Sequence, residues 1–425
     1  MSWKLIRNGV LSLLLGGLCA AAAANTTSVR LPLHFISNDI TIHPEVITEA
    51  ESMGSGVPEE VAVPMAVPEP FREVRPSYEL PPLPAARGPM RMALLLPLHS
   101  DALRETAEAV RAGFTAAQRV DRDANVSVTL VQTGDNPNDI LSAYSATLPN
   151  HEVIIGPLTR SGVTALANSG FVSKPTIALT QADDGTMLPP MMLPMGLSLE
   201  EESRQIARWA AGNARPSRAF VIATSVAWQR RAARAFIQEW NSLGGNAPLV
   251  ELNMAGAYLD PNNLVKLRQR VKDEQPSVIF VALDAAQARQ VREAIGTETP
   301  IYGTSQVNPL PYQQGDELEQ VPFMDGIRLV DMPWQLQPDH AAVMVYPRVA
   351  PVPGQRRSAN SERFYAIGID AYRVAKEIGR GNILFEMDGV TGKLRVNFGG
   401  GSPFLQRVAT PALYREGIVV PAASR

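Results

Sequence analysis

Groups able to do covalent or metal chemistry are few in this sequence, and none stands at a working spacing. The five histidines, His34, His43, His99, His151 and His340, are scattered, so no pair has the short separation that turns two imidazoles toward one zinc ion. The stretch DRDANVSVTLVQ begins like a calcium loop. Val126, however, stands where the sharp turn requires glycine, and Gln132 stands where a bidentate carboxylate belongs. GVTGKL lacks the spacing and the following hydroxyl of a phosphate-binding loop, and neither a G-x-S-x-G elbow nor H-E-x-x-H occurs. Three consecutive acids, Glu200, Glu201 and Glu202, suggest acid–base work at first sight. In the first turn of a helix they simply answer the positive end of its dipole. The residues therefore read as those of a non-enzyme without metal or cofactor.

Non-covalent binding is better served. In an open parallel sheet, the turns that leave the carboxyl ends of the strands face the crevice where ligands sit. Such turns here are PLHSD, QTGDN, GPLTRSG and LTQADD in one half, and ATSVAWQ, ALDAAQ and GTSQVN in the other. They nominate His99, Ser100, Thr159, Arg160, Ser161, Thr180 and Gln181 on one side of a crevice, facing Trp228, Gln229, Asp284 and Gln306. Ser, Thr and Asp in such turns also cap the helix that follows, which competes with any ligand role.

The elements that must position these residues are strands and helices in alternation. Apolar runs of strand length (MALLLPL, VSVTLVQ, EVIIGPL, TIALTQ, AFVIATS, SVIFVAL and IYGTSQ) are separated by segments of helical period. That pattern predicts an α/β fold of mostly parallel sheets flanked by helices. After PLHSD, Leu103, Ala107, Val110 and Phe114 make one helical stripe, and Trp228, Ala232, Phe236 and Trp240 make another. Ser198 and Glu201 have the spacing of a capping box. Gly244, Gly296 and Gly379 stand where helices are expected to stop.

Compartment and organisation come from the amino terminus. Lys4 and Arg7 precede GVLSLLLGGLCAAAAA, too short and small-residue-rich to span a membrane, so residues 1–24 read as a secretory signal cleaved before Asn25. The single cysteine, Cys19, follows Leu18, a poor fit to a lipoprotein cleavage site; acylation there would be the alternative and would attach the chain to the outer membrane. Cleavage at Asn25 leaves no cysteine, and removing Lys4 and Arg7 takes the formal charge from -3 to -5, with no basic block for nucleic acid or an anionic membrane. Residues 25–88 are interrupted by proline and read as an extended linker. Residues 89–425 are long enough for two lobes, the first about 89–195 and the second about 196–300, each with later returning segments.

The ordered series MALLLPLHSDALRETAEAVRAGFTAA, EVIIGPLTRSGVTALA, PTIALTQ, GLSLEEESRQIARWA, AFVIATSVAWQRRAARAFIQEWNSLGG, TPIYGTSQVN, GIRLVDMPWQL and RFYAIGIDAYRVAKEI resembles the LppC, or LpoA-type, penicillin-binding protein activators. The resemblance implies a two-lobed type I periplasmic-binding-protein-like fold with crossovers between lobes. It also implies a periplasmic partner, a class A penicillin-binding protein that builds peptidoglycan. Enterobacterial members carry a helical-repeat domain and a lipid anchor where this sequence has a proline-rich stretch. The alternative reading is a solute-binding protein that holds an amino acid or small peptide in the crevice, with Arg160 for a carboxylate and Asp284 for an ammonium group. A regulator would meet its partner through exposed turns such as GTSQVNPLPYQQGDELEQVPF.

Overall fold

The computed structural model describes residues 88–212, 216–308, 322–348 and 359–422. The expected signal segment, Cys19, nearly all of the expected linker and most of GTSQVNPLPYQQGDELEQVPF lie outside those residues. In the first lobe, β1 (Met90–Leu96), β2 (Val126–Gln132), β3 (Val153–Ile155), β4 (Thr176–Ala178) and β5 (Met192–Pro194) form one sheet in the order β2-β1-β3-β4-β5. All of its pairings are parallel. The connecting helices are α1 (Arg104–Asp121), α2 (Pro137–Thr147) and α3 (Arg160–Asn168). Met92, Leu94 and Leu96 pack with the α1 side, while Ala93, Ile154 and Ala178 pack against Tyr144, Val163 and Leu166 of α2 and α3. Coverage of both faces is why these strands read as continuous apolar runs.

The second lobe repeats the plan. Its elements are α4 (Leu199–Ala211), β6 (Ala219–Ala223), α5 (Ala227–Ser242), β7 (Leu249–Glu251), the hairpin β8 (Met254–Ala255) and β9 (Tyr258–Leu259), α6 (Pro261–Glu274), β10 (Val278–Val281), α7 (Ala285–Ile295), β11 (Ile301–Gly303) and β12 (Arg328–Asp331). The chain then passes through α8 (Pro333–Leu336) back to the first lobe, where α9 (Ala359–Gly379) packs on α1. There β13 (Leu384–Gly389), β14 (Gly392–Asn397) and β15 (Phe404–Val408) make a small antiparallel sheet. Finally β16 (Thr410–Arg415) and β17 (Ile418–Pro421) return to the second lobe, completing a seven-stranded sheet in the order β17-β16-β12-β11-β10-β6-β7. Strand β16 alone runs against the others, pairing antiparallel with both β12 and β17.

Helices α1 and α9 cross backbone to backbone. A Cβ on Gly113 would fall within the carbonyl oxygen of Tyr365, and one on Gly368 within that of Val110. Only glycine permits this approach, and it brings Phe114 and Tyr372 edge to face at 5.3 Å. The predicted stripe Ala107, Val110 and Phe114 is buried there, while Leu103 is the N-cap residue.

Two expected helix ends differ. Gly379 is still helical, and a Cβ on it would press on Met90 and Val153; the turn with positive φ falls at Gly381. Ser198 accepts from the Glu201 N–H as a cap should, but the Glu201 carboxylate pairs with Arg204 and does not complete the box. The complete capping box is instead Asp284 with Gln287 on α7.

Candidate functional site

Three chain segments cross between the lobes, at Met195–Ser198 before α4, at Met332 after β12, and at Ala409 between β15 and β16. They converge on a small cavity of about 30 Å³, lined among others by Gln181, Gly196, Glu202, Met332, Arg407 and Ala409. Its walls are bonded to one another. Arg407 donates through Nη1 to Gly196 O and through Nη2 to Met195 O, both at 2.9 Å, and through Nε to Thr391 Oγ1 at 3.0 Å. Burial pushes the Arg407 guanidinium below its ordinary range, against the opposing pull of Asp370 and Glu202. Gln205 of α4 pairs with the backbone of Ala409 in both directions, at 2.7 and 3.0 Å. Asp370, fully buried on α9, accepts from Thr391 N at 2.8 Å and Thr391 Oγ1 at 2.6 Å.

Beside this junction a charged pair joins the lobes. Arg363, near the start of α9, is only 5 % exposed, and its Nη2 lies 2.9 Å from Asp331 Oδ2, 2.8 Å from Ser305 O and 3.2 Å from Asn308 O. All three acceptors belong to the second lobe, at the ends of β11 and β12. Asn308 also donates to Asp331 Oδ2 at 2.8 Å, and Met332 N to Oδ1 at 2.8 Å, so both carboxylate oxygens are engaged. Glu202 accepts from Ser305 N at 2.9 Å and Ser305 Oγ at 3.1 Å. Burial, reinforced by the charge of Asp331, raises the Glu202 carboxyl to about 7, although Ser305 and Arg363 pull the other way. All three glutamates stand in the first turn of α4, as expected, but Glu202 also has a partner outside the helix, a serine 103 positions away. Glu200 reaches Arg231 at 2.9 Å.

The crevice candidates fall into two groups. Several are engaged by their own neighbourhood: Ser100 bonds to Asp135 at 2.7 Å, Thr159 caps α3 and Asp284 caps α7. Gln229 is buried between Thr224 and Gln287, at 2.7 and 2.8 Å, and Arg160 donates to Ala182 O at 3.0 Å with Asp183 and Asp184 near. His99, Ser161, Thr180, Gln181, Trp228 and Gln306 make no side-chain hydrogen bond among the described residues, and of all the candidates Gln181 alone lines the junction cavity. Glu202, Arg363 and Arg407 were not anticipated. Their partners lie far off in sequence, so no local spacing announces them.

Two larger open grooves lie on the first lobe. One, of about 580 Å³, follows the outer face of β13–β15, and another, of about 550 Å³, runs along α1 past Arg111, Arg119 and Tyr365. Among the described residues no three His, Cys, Asp or Glu side chains gather as a metal site would require, and no helix is long and apolar enough to cross a membrane.

Two α/β lobes joined by three crossovers define the two-lobed architecture of type I periplasmic-binding-protein-like folds. Residues 85–400 match the family model described as "LppC putative lipoprotein", and the chain belongs to that family. The penicillin-binding protein activator LpoA of Photobacterium profundum is 25% identical over 368 residues, covering 78% of this chain and 57% of its own length. LpoA of Haemophilus ducreyi is 23% identical over 338 residues, covering 77% and 54%. The chain thus spans about half the length of the curated relatives it matches. Among solved structures, a "putative branched-chain amino acid ABC transporter" from Chromobacterium violaceum superposes with a TM-score of 0.61 at 32% identity, over 76% of this chain and 100% of that one. The LpoA C-domain from Haemophilus influenzae, named a regulator of PBP1A, gives 0.61 at 19% identity over 78% and 100%, which speaks for the fold alone.

Proposed function

We propose that this protein is a non-catalytic regulator, acting in the periplasm, that binds a class A penicillin-binding protein and favours its active state in peptidoglycan synthesis. The observation that supports this reading best is the filled junction between the lobes. The cavity left where the crossing segments bond to one another, about 30 Å³, has room for a water or two. An activator requires no ligand of its own, because its effect is bounded by how much better it binds one state of its partner than another. The partner class comes from the names of the relatives, which the chain matches over about half their length.

A second reading, capture of an amino acid for transport, is favoured by the name of the Chromobacterium violaceum structure. It would call on crevice candidates whose side chains are not already bonded, such as Thr180, Gln181, Trp228 and Gln306. The two readings part in one experiment. Purified protein is expected to raise the rate of glycan polymerisation or crosslinking by its cognate class A synthase without added amino acid. In parallel, melting is followed with amino acids, short peptides and muropeptides, where a true ligand at a hundredfold excess over its dissociation constant would add roughly 2.7 kcal/mol. A clear shift with an amino acid and an unchanged synthase rate would overturn the regulator in favour of transport.

A further inference from the structure

We propose that Arg363 acts as a built-in ligand of the second lobe, holding the two lobes at one angle, and that Glu202 at their junction sets how firmly it holds. In an open α/β sheet the ends of the strands are where a ligand would dock. Here the ends of β11 and β12 present Asp331, Ser305 O and Asn308 O, and the group that satisfies them is a guanidinium from a helix of the other lobe. The pair is almost wholly removed from water, with the Arg363 side chain 6 % and that of Asp331 0 % exposed. Parting the lobes would leave Asp331 without its counter-charge, and breaking such a pair costs far more than separating a surface one. The strut is therefore stiff, and this conclusion stands whether or not a synthase is the partner.

Glu202 is the adjustable element. It faces Ser305 from the short turn after β11, Asp331 from β12, Arg363 from α9 and Arg407 from β15, with Glu201 beside it on its own helix. As a neutral acid it still accepts from Ser305 N and adds no charge beside Asp331. Ionised, it adds a second negative charge beside Asp331 and draws water into the junction cavity that it lines, which favours separation of the crossing segments. Its carboxyl, raised to about 7, changes state near neutrality, so the grip loosens as pH rises.

Spin labels report the interlobe distance directly. With Cys19→Ser as background, Ser145→Cys on α2 and Val265→Cys on α6 place one exposed label on each lobe of the full chain. Pulsed electron resonance at about pH 6 should give one narrow distance population, and Arg363→Gln should widen it roughly twofold. Raising the unsubstituted protein to about pH 8 should widen its distribution too, while Glu202→Gln, which imitates the neutral acid, should remain narrow at both values. If Arg363→Gln does not fold, Arg363→Gln with Asp331→Asn removes both charges together and carries the same expectation. A folded variant of either kind with the original narrow distance, or equal pH responses with and without Glu202→Gln, would overturn the proposal. Synthase stimulation measured on the same samples tests the regulator reading separately.

Discussion

Two of the contacts that fasten helix α9 work by unlike means. Along its middle, Gly368 lets the backbone of α1 approach directly, and the contact is apolar and close-packed. At its start, Arg363 reaches the other lobe and the contact is ionic. The first depends on the absence of an atom, so it fails sharply when one is added. The second depends on matched charges, so it fails when one is left alone and recovers when both are removed.

The sharpest way to break this contrast is Asp331→Asn, which strands a buried guanidinium and should cost about 3–5 kcal/mol in urea unfolding, with part of the loss restored by adding Arg363→Met. Next is Gly368→Ala, expected to cost about 3 kcal/mol because its neighbour is a backbone carbonyl that cannot step aside. Gly379→Ala, where the flexible Met90 side chain can yield, should cost about 1 kcal/mol, and equal losses at the two glycines would contradict the rigid crossing.

Acidity sharpens the ionic side. The Glu202 carboxyl keeps its proton in the folded chain up to about 7 while the unfolded chain loses it near 4.5, so stability should fall as pH rises through that window, by on the order of 3 kcal/mol, and level off above it. Glu202→Gln should flatten that slope; a slope of unchanged size in the variant would assign it to other groups. Smallest of all is Glu201→Gln, one position away. Glu201 is itself exposed and its partner Arg204 only half-buried, so a change under about 0.5 kcal/mol is the expected result of the same titration.

These neighbouring glutamates also show where sequence reading runs out. The parallel strands were legible because burial on both faces makes them unbroken apolar runs, as in AFVIA of β6 and VIFV of β10. The alternating strands LFEMDG, GKLRVN and FLQRV of β13–β15 carry charges on their open face and were missed. Three consecutive glutamates look alike in a string of letters, yet successive residues on a helix point about 100° apart, and only Glu202 is turned toward Ser305. Turn residues were nominated as crevice lining because strand ends face a crevice, but Thr159 and Asp284 spend their oxygens on the first turns of α3 and α7. Arg363 and Asp331 are 32 positions apart in different elements, and nothing local marks them as partners.

The late return of the chain to each lobe has a consequence for how the protein comes into being. The first sheet is complete in strand order at Pro194, but the cover of its α1 face is finished by α9, which begins at Ala359; the second sheet waits for β16 and β17, which begin at Thr410. During synthesis from the amino terminus, neither half can finish folding before nearly the whole polypeptide exists, and the contacts that close both halves span more than two hundred residues in the first and about eighty in the second. Such distant pairings slow folding and leave apolar surface waiting for its cover. A fragment ending after β12 should therefore aggregate where the intact chain does not, and the two lobes cannot be inherited or exchanged as separate genetic modules by a single cut.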